Sequence, residues 1–284
     1  MLSKLWFRIF FGVLIVFIGY LIVSNFFIVS PPPKTFRIYY EKINTKILVD
    51  MTNYDLNIVE ASFFTKDDVE ALHTTDSKIV GYLSLVEIGH WDTILVADLL
   101  EEDYLLDNFN KKLKSRSGSN YLGDLSSKHF REVLMKHLKI RILNKGMDGV
   151  FFDTLDWIDY YASNERLSTK LKQGYETFLI ELKKEYPNII IVQNRGLESY
   201  RSFSKNYIDV FLWENFDSSY PTQNDKKILA LKEFRKIVKK NDTEVYVISF
   251  KNEEVNRKII CKFGWSFIFS QMENRYSEWD ILQR

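Results

Sequence analysis

Eight short apolar runs, separated by longer stretches with helical periodicity, constrain this chain more than any other feature. They are predicted as strands at residues 37–40, 57–60, 79–86, 149–153, 189–193, 208–213, 244–249 and 265–269. Most are continuously apolar rather than alternating, the pattern of parallel strands covered on both faces. In the stretches between them, Leu167, Leu171, Tyr175, Phe178 and Leu182 recur three or four apart, as do Phe130, Leu134 and Leu138, and Leu231, Phe234 and Val238. Strands alternating with helices imply a parallel sheet, and eight is the number that closes a barrel. The predicted fold is therefore an α/β (β/α)8 TIM barrel over residues 36–284. An open doubly wound sheet is the rival architecture, but no Gly-rich phosphate loop supports it. Residues 92–123 turn from acidic to basic to Ser/Gly-rich, which predicts an elaborated loop with helical pieces.

The segment before the barrel is of another kind. Residues 9–29 form a 21-residue run without a charge, long enough to cross a bilayer core as a helix. Lys4 and Arg8 precede it, and Pro31, Pro32 and Pro33 end it. The expectation is an uncleaved signal anchor at 9–29, with residues 1–8 cytoplasmic, a Pro-rich spacer at 30–35, and the body outside the cell membrane. A cleaved signal peptide is the competing reading, but the Ser24-Asn25-Phe26-Phe27 stretch lacks a small-x-small cleavage pattern.

Charge and cysteine usage narrow the function. Setting Lys4 and Arg8 aside from 39 basic residues leaves 37 against 38 acidic ones, so nothing points to a nucleic-acid partner. Cys261 is the only cysteine, which rules out an intrachain disulfide. It lies in an apolar helical pattern and is expected to be a buried, inert thiol. Aromatic residues make up 15% of the chain, mostly as core, but such abundance also suits clefts where flat sugar faces lie on rings.

In such a barrel the working residues sit at the C-terminal ends of the strands. Glu60, Asp153, Asn194 and Glu214 fall there and are expected to converge on one mouth, with Tyr39, Tyr82, Ser84, Glu87, Asp156, Trp157, Arg195 and Trp213 as further substrate-binding candidates. Two carboxyl groups are what glycoside hydrolysis needs: one protonates the leaving oxygen, and the other attacks or activates water. Glu214, flanked by Trp213 and Phe216, is expected to have the higher pKa and act as the acid. Asp153, beside the Thr154 hydroxyl, is expected to stay ionised. Asp148 precedes its strand and is expected at the opposite end, serving stability. No metal or cofactor is expected. The four histidines (His73, His90, His129, His137) include no close ligand pair, and neither a G-x-S-x-G elbow nor a Cys-His setting is present.

At these residues the chain resembles a known family. Asp148-Gly149-Val150-Phe151-Phe152-Asp153-Thr154-Leu155-Asp156 is similar to the D-G-x-F-x-D-T-L-D element of endo-α-1,4-polygalactosaminidase-like barrels, glycoside hydrolase families 114 and 166. Asn194-Arg195-Gly196-Leu197-Glu198 resembles the N-R-G-x-E element of family 166, which includes the hydrolase domain acting on Pel exopolysaccharide. Trp213-Glu214-Asn215-Phe216 and Gly81-Tyr82-Leu83-Ser84 resemble two further elements, in the same order, over residues 36–272. The chain departs from the pattern in reading Ser84-Leu85-Val86-Glu87 where a Gly usually precedes the Glu, and Asn215-Phe216 where Ser-Leu-Phe is usual. The resemblance implies endo-hydrolysis of an α-1,4-linked, N-acetylgalactosamine-rich polysaccharide, with Asp153 and Glu214 as the catalytic pair. The alternative is a catalytically idle barrel that binds polysaccharide in an export or modification apparatus.

Overall fold

The computed structural model describes residues 34–218, 224–270 and 276. Eight strands form one sheet in which every pairing is parallel: β1 (Phe36–Tyr39), β2 (Leu56–Val59), β3 (Lys78–Ser84), β6 (Gly149–Asp153), β7 (Ile190–Asn194), β8 (Val210–Trp213), β9 (Glu244–Ser249) and β10 (Ser266–Phe269). Sheet order follows sequence order, so each strand lies beside the next and the sheet curls into a nearly closed α/β barrel. At the seam, the Ser266 hydroxyl donates to the Lys34 carbonyl, and Phe36 stacks on Tyr246 at 4.5 Å inside the wall. All eight predicted strands are present, most with ends shifted by one or two residues. The third splits: after Ser84 the chain leaves the barrel, and Glu87–Ile88 (β4) pairs antiparallel with Tyr121–Leu122 (β5). The elaborated loop over 92–123 is therefore a small antiparallel annex beside the barrel's C-terminal rim, carrying a short α-helix (Thr93–Ala97) and a 3-10 turn (Glu101–Asp103).

Two apolar layers follow from the two-residue period of the strands. Phe36, Ile38, Ile58, Phe151, Leu212 and Ile248 fill the inside. Val59, Ile79, Phe152, Phe211 and Val247 face outward against helices such as Lys128–Arg141 and Glu165–Glu185. A large side chain buried in either layer contributes about 1.5–3 kcal/mol, so both layers fix the register strongly.

The N-terminal ends of the strands are tied by a repeated device. Asp55, Asp148 and Asp209 each stand one residue before a strand, and each accepts from a backbone N–H of a neighbouring strand's start: Thr35 at 2.6 Å, Ile79 at 3.0 Å and Ile191 at 2.8 Å. Asp148 also binds His73 (2.9 Å) and Lys78 (3.0 Å), as a stabilising residue at this end should. Gly149 beside it is required by close approach: a Cβ there would lie 2.0 Å from the Ile190 carbonyl oxygen.

Cys261 departs from expectation. It is exposed, because the helix Glu253–Phe263 turns Asn256 and Ile260 inward and carries residue 261 about 100° round from Ile260. The anchor expected at 9–29 lies outside the described residues. Among the described residues, no helix is long and apolar enough to cross a membrane.

Candidate active site

Residues of inward parity at the C-terminal strand ends meet in one cavity of about 350 Å³, lined by Ile38, Tyr40, Glu60, Tyr82, Trp91, Phe151, Asp153, Asn194, Glu214 and Tyr276. At its centre the Asn194 side-chain nitrogen donates to Asp153 Oδ1 (2.9 Å) and to Glu214 Oε2 (2.8 Å). The reverse amide orientation would set a carbonyl against two carboxylates, so the assignment follows from charge. Two bonds from one nitrogen keep the acceptor oxygens close, and straight bonds along N–H directions about 120° apart correspond to about 5 Å between them. Tyr82 donates to Asp153 Oδ2 (3.0 Å), and Tyr276 donates to Glu214 Oε1. Each carboxylate thus has one phenol of its own and shares one amide.

Burial pushes the Asp153 carboxyl above the usual aspartate range, and the charge of Glu214 adds to the rise; donors from the Thr154 backbone, Asn194 and Tyr82 oppose it. A buried carboxyl beside a second one resists ionisation, so the Thr154, Asn194 and Tyr82 donors work against burial to hold Asp153 as a carboxylate. The expected donor is corrected. The N–H of Thr154 reaches the carboxyl, while its hydroxyl faces the Asp153 carbonyl oxygen at 2.7 Å.

The three central residues share a backbone feature. Thr154, Arg195 and Asn215, each directly following Asp153, Asn194 or Glu214, have φ of 67°, 57° and 58°. Left-handed backbone costs a non-glycine residue about 1–3 kcal/mol, and most for a β-branched one. At Thr154 the surroundings offset it: Oγ1 accepts from the backbone N–H of Val86 (2.9 Å) and Glu87 (3.1 Å) and lies 3.0 Å from Ser84 Oγ. Two such bonds at about 0.5–1.5 kcal/mol each cover a cost of that size.

Glu60, Tyr82 and Asn194 join the carboxylate pair in the cavity as expected. The other candidates do not. Tyr39 is 5% exposed and its hydroxyl donates to the Lys42 carbonyl (3.0 Å), because odd-numbered residues of β1 face the helices. Trp213 has the same outward parity on β8 and packs edge-on against Phe211, Phe216 and Phe234. Ser84 donates to the Glu87 carbonyl (2.7 Å). Glu87 accepts from Trp157 Nε1 (2.6 Å) and Asn120 (2.9 Å), so Glu87 and the 7%-exposed Trp157 knit the annex to the barrel. Asp156 and Arg195 pair with each other at 3.3 Å outside the cavity lining. Burial pushes the Asp156 carboxyl up, while Arg195 opposes it.

Tyr40, Trp91 and Tyr276 were not anticipated. Two-residue counting from Ile38 finds Tyr40. Trp91, 68% exposed, stands just past β4, where its ring packs over Gly89. Tyr276 has no local signal in the sequence. No group of His, Cys, Asp and Glu suited to a metal ion occurs among the described residues.

Residues 27–279 match the model of glycoside-hydrolase family GH114, and the chain belongs to that family. It is a glycoside hydrolase. Among solved structures it is similar to the glycoside hydrolase domain of PelA from Pseudomonas aeruginosa, at 18% identity and a TM-score of 0.68, covering 87% of this chain and 97% of that one. Ega3 from Aspergillus fumigatus, solved in complex with galactosamine, is similar at 15% identity and a TM-score of 0.60, covering 84% and 92%. An α-galactosidase from Thermus thermophilus follows at 10% identity and a TM-score of 0.57, covering 84% and 58%. No curated protein matches the sequence significantly.

Proposed function

We propose that this enzyme is a retaining, endo-acting hydrolase of an α-1,4-linked, galactosamine-rich polysaccharide, held to the cell membrane by residues 9–29 with its barrel outside. The observation that supports the mechanism is the shared Asn194 nitrogen, whose two bonds, taken straight along N–H directions about 120° apart, correspond to about 5 Å between the acceptor oxygens. Separations of about 5–5.5 Å belong to double displacement, and about 6.5–9.5 Å to inversion. Asp153, gripped through both oxygens, attacks the anomeric carbon while Glu214 protonates the departing glycosidic oxygen. Water, deprotonated by Glu214, then breaks the glycosyl–Asp153 ester and restores both groups.

The cavity's charge supports an amino sugar. Glu60, Asp153 and Glu214 line it, and no cationic side chain does among the described residues. An ammonium group of the substrate is therefore attracted, and it favours the ionised Asp153 that burial alone resists. Glu60, which stands outside the Asn194-linked pair and accepts from the Ser62 N–H through one oxygen, is the carboxylate placed to receive that ammonium. Trp91 supplies the exposed ring on which a sugar face can lie. Family membership and the galactosamine bound by Ega3 support the same substrate class.

The test is incubation of the protein with α-1,4-galactosamine polymers of graded N-acetylation. Reducing ends should appear, and NMR of the first product should show the α-anomer. Inertness toward every such polymer sinks the substrate assignment, and a β-anomer sinks retention. For the location, protease added to intact cells lacking an outer barrier should remove the barrel, and full protection would overturn the orientation.

A further inference from the structure

Three phenols ring the carboxylate pair, and two are already engaged: Tyr82 on Asp153 and Tyr276 on Glu214. The third, Tyr40, stands between them, edge-on to Tyr82 at 5.4 Å and to Tyr276 at 5.6 Å. It lines the cavity and is half-buried, yet its hydroxyl has no hydrogen-bond partner among the described residues. It is also absent from the buried polar atoms left unpaired, which include Asn194 Oδ1. A phenol oxygen that is neither bonded nor sealed off opens into the cavity. We infer that Tyr40 is a substrate-contacting residue, whose hydroxyl hydrogen-bonds a polar substituent of the sugar held between Asp153 and Glu214. The inference rests on the proposed glycosidase reaction at this site and adds to it the group that reads the sugar itself.

The chemistry suits the task. Burial first, then the charge of Asp153, the neighbouring Tyr82 and Tyr276, and the charge of Glu214 push the Tyr40 phenol well above its ordinary value. It therefore stays a neutral donor throughout any working pH. Its ring is fixed on both edges, so the donor is in place before the sugar arrives, and a preorganised donor acts most strongly on the transition state. Tyr82 and Tyr276 have their protons committed to the carboxylates and cannot serve the sugar in the same way.

The test compares Tyr40→Phe with the wild-type full chain. The substitution removes one oxygen and no protein hydrogen bond, so the melting temperature should hold within a few degrees. kcat/KM on galactosamine polymer should fall about tenfold to a hundredfold, mostly in kcat, with both limbs of the pH profile unmoved. Rates within about twofold of wild type overturn the inference and leave the proposed function standing. A loss explained wholly by a displaced pH limb also overturns it, since Tyr40 would then act only by tuning the carboxylates. If the wild type cleaves no amino-sugar polymer, the substrate assignment fails. Tyr40 is then judged by calorimetry with galactosamine, N-acetylgalactosamine and galactose. A tenfold weaker affinity in Tyr40→Phe sustains the inference; equal affinity, or no binding by the wild type, overturns it.

Discussion

The two ends of strand β6 carry aspartates five positions apart in sequence and opposite in role: Asp148 just before it and Asp153 as its last residue. Burial alone would raise the Asp148 carboxyl, but the Ile79 N–H, His73 and Lys78 outweigh it and hold the group below the usual range. Asp153 is more deeply enclosed, stands beside Glu214, and is pushed up. At one end backbone starts are tied down; at the other, Thr154, Arg195 and Asn215 hold left-handed backbone. The contrast teaches that a single strand can be stabilised at one end and loaded with chemistry at the other.

The largest test of this contrast is at the mouth. Asp153→Asn and Glu214→Gln should each lower turnover by about 10³-fold or more with the fold intact, measured as reducing ends per folded molecule. Asp153→Asn should also raise the melting temperature near neutral pH. A folded-state pKa raised above the unfolded value of about 3.9 means that stability falls as pH rises through that window, and the asparagine removes this loss. The acid limb of kcat/KM should accordingly lie above the ordinary aspartate value. A melting temperature that drops instead would erase the distinction between the two ends.

Next in size is Asn194→Ala, which removes the nitrogen that spaces the pair. A loss of about 10²-fold in kcat is expected, with KM changed far less, by steady-state kinetics. Near-normal turnover would show that the carboxylates keep their separation unaided.

Asp148→Asn should do the reverse of the mouth variants. Stability should fall by about 1–3 kcal/mol, read from denaturant unfolding at pH 7, while kcat per folded molecule stays within about twofold. Because the folded pKa is depressed, the contribution is present above the unfolded value of about 3.9. It should disappear as pH falls through the folded pKa, so wild type and variant should converge in acid. Equal stability at pH 7 would leave the lower end without its assigned role.

The smallest expected effect is at the rim. Trp91→Ala should raise KM roughly fivefold, about 1 kcal/mol, with an unchanged melting temperature. A fall in melting temperature with KM unchanged would make this exposed ring a packing residue.

Much of the fold was legible because burial on both faces writes itself into continuous apolar runs, and the count of eight follows from them. The carboxylate pair and Asn194 were legible as polar residues closing such runs. Tyr39 and Trp213 were misplaced because proximity to a strand end says nothing about parity. Counting by twos from Ile38 and Leu212 sends both outward and brings Tyr40 and Glu214 in. Ser84, Glu87 and Trp157 escaped for another reason. Their roles depend on the annex folding back onto β6, a tertiary event with no local periodicity. Tyr276 is 62 residues from its partner Glu214, so only the assembled barrel brings them together. Gly149 shows the opposite case, a motif glycine whose necessity becomes physical once the Ile190 carbonyl is seen against it.

The single nitrogen of Asn194 also makes the site observable from within. Its two amide protons are chemically distinct, one pointing at each carboxylate, so in a spectrum they form a matched pair of probes 120° apart. In the proposed double displacement, a proton or a glycosyl group on Asp153 would weaken that side's acceptor and move its resonance upfield while the other holds. Isotopic labelling of this one side chain would therefore show where the charge resides at each stage of turnover, without touching either acid.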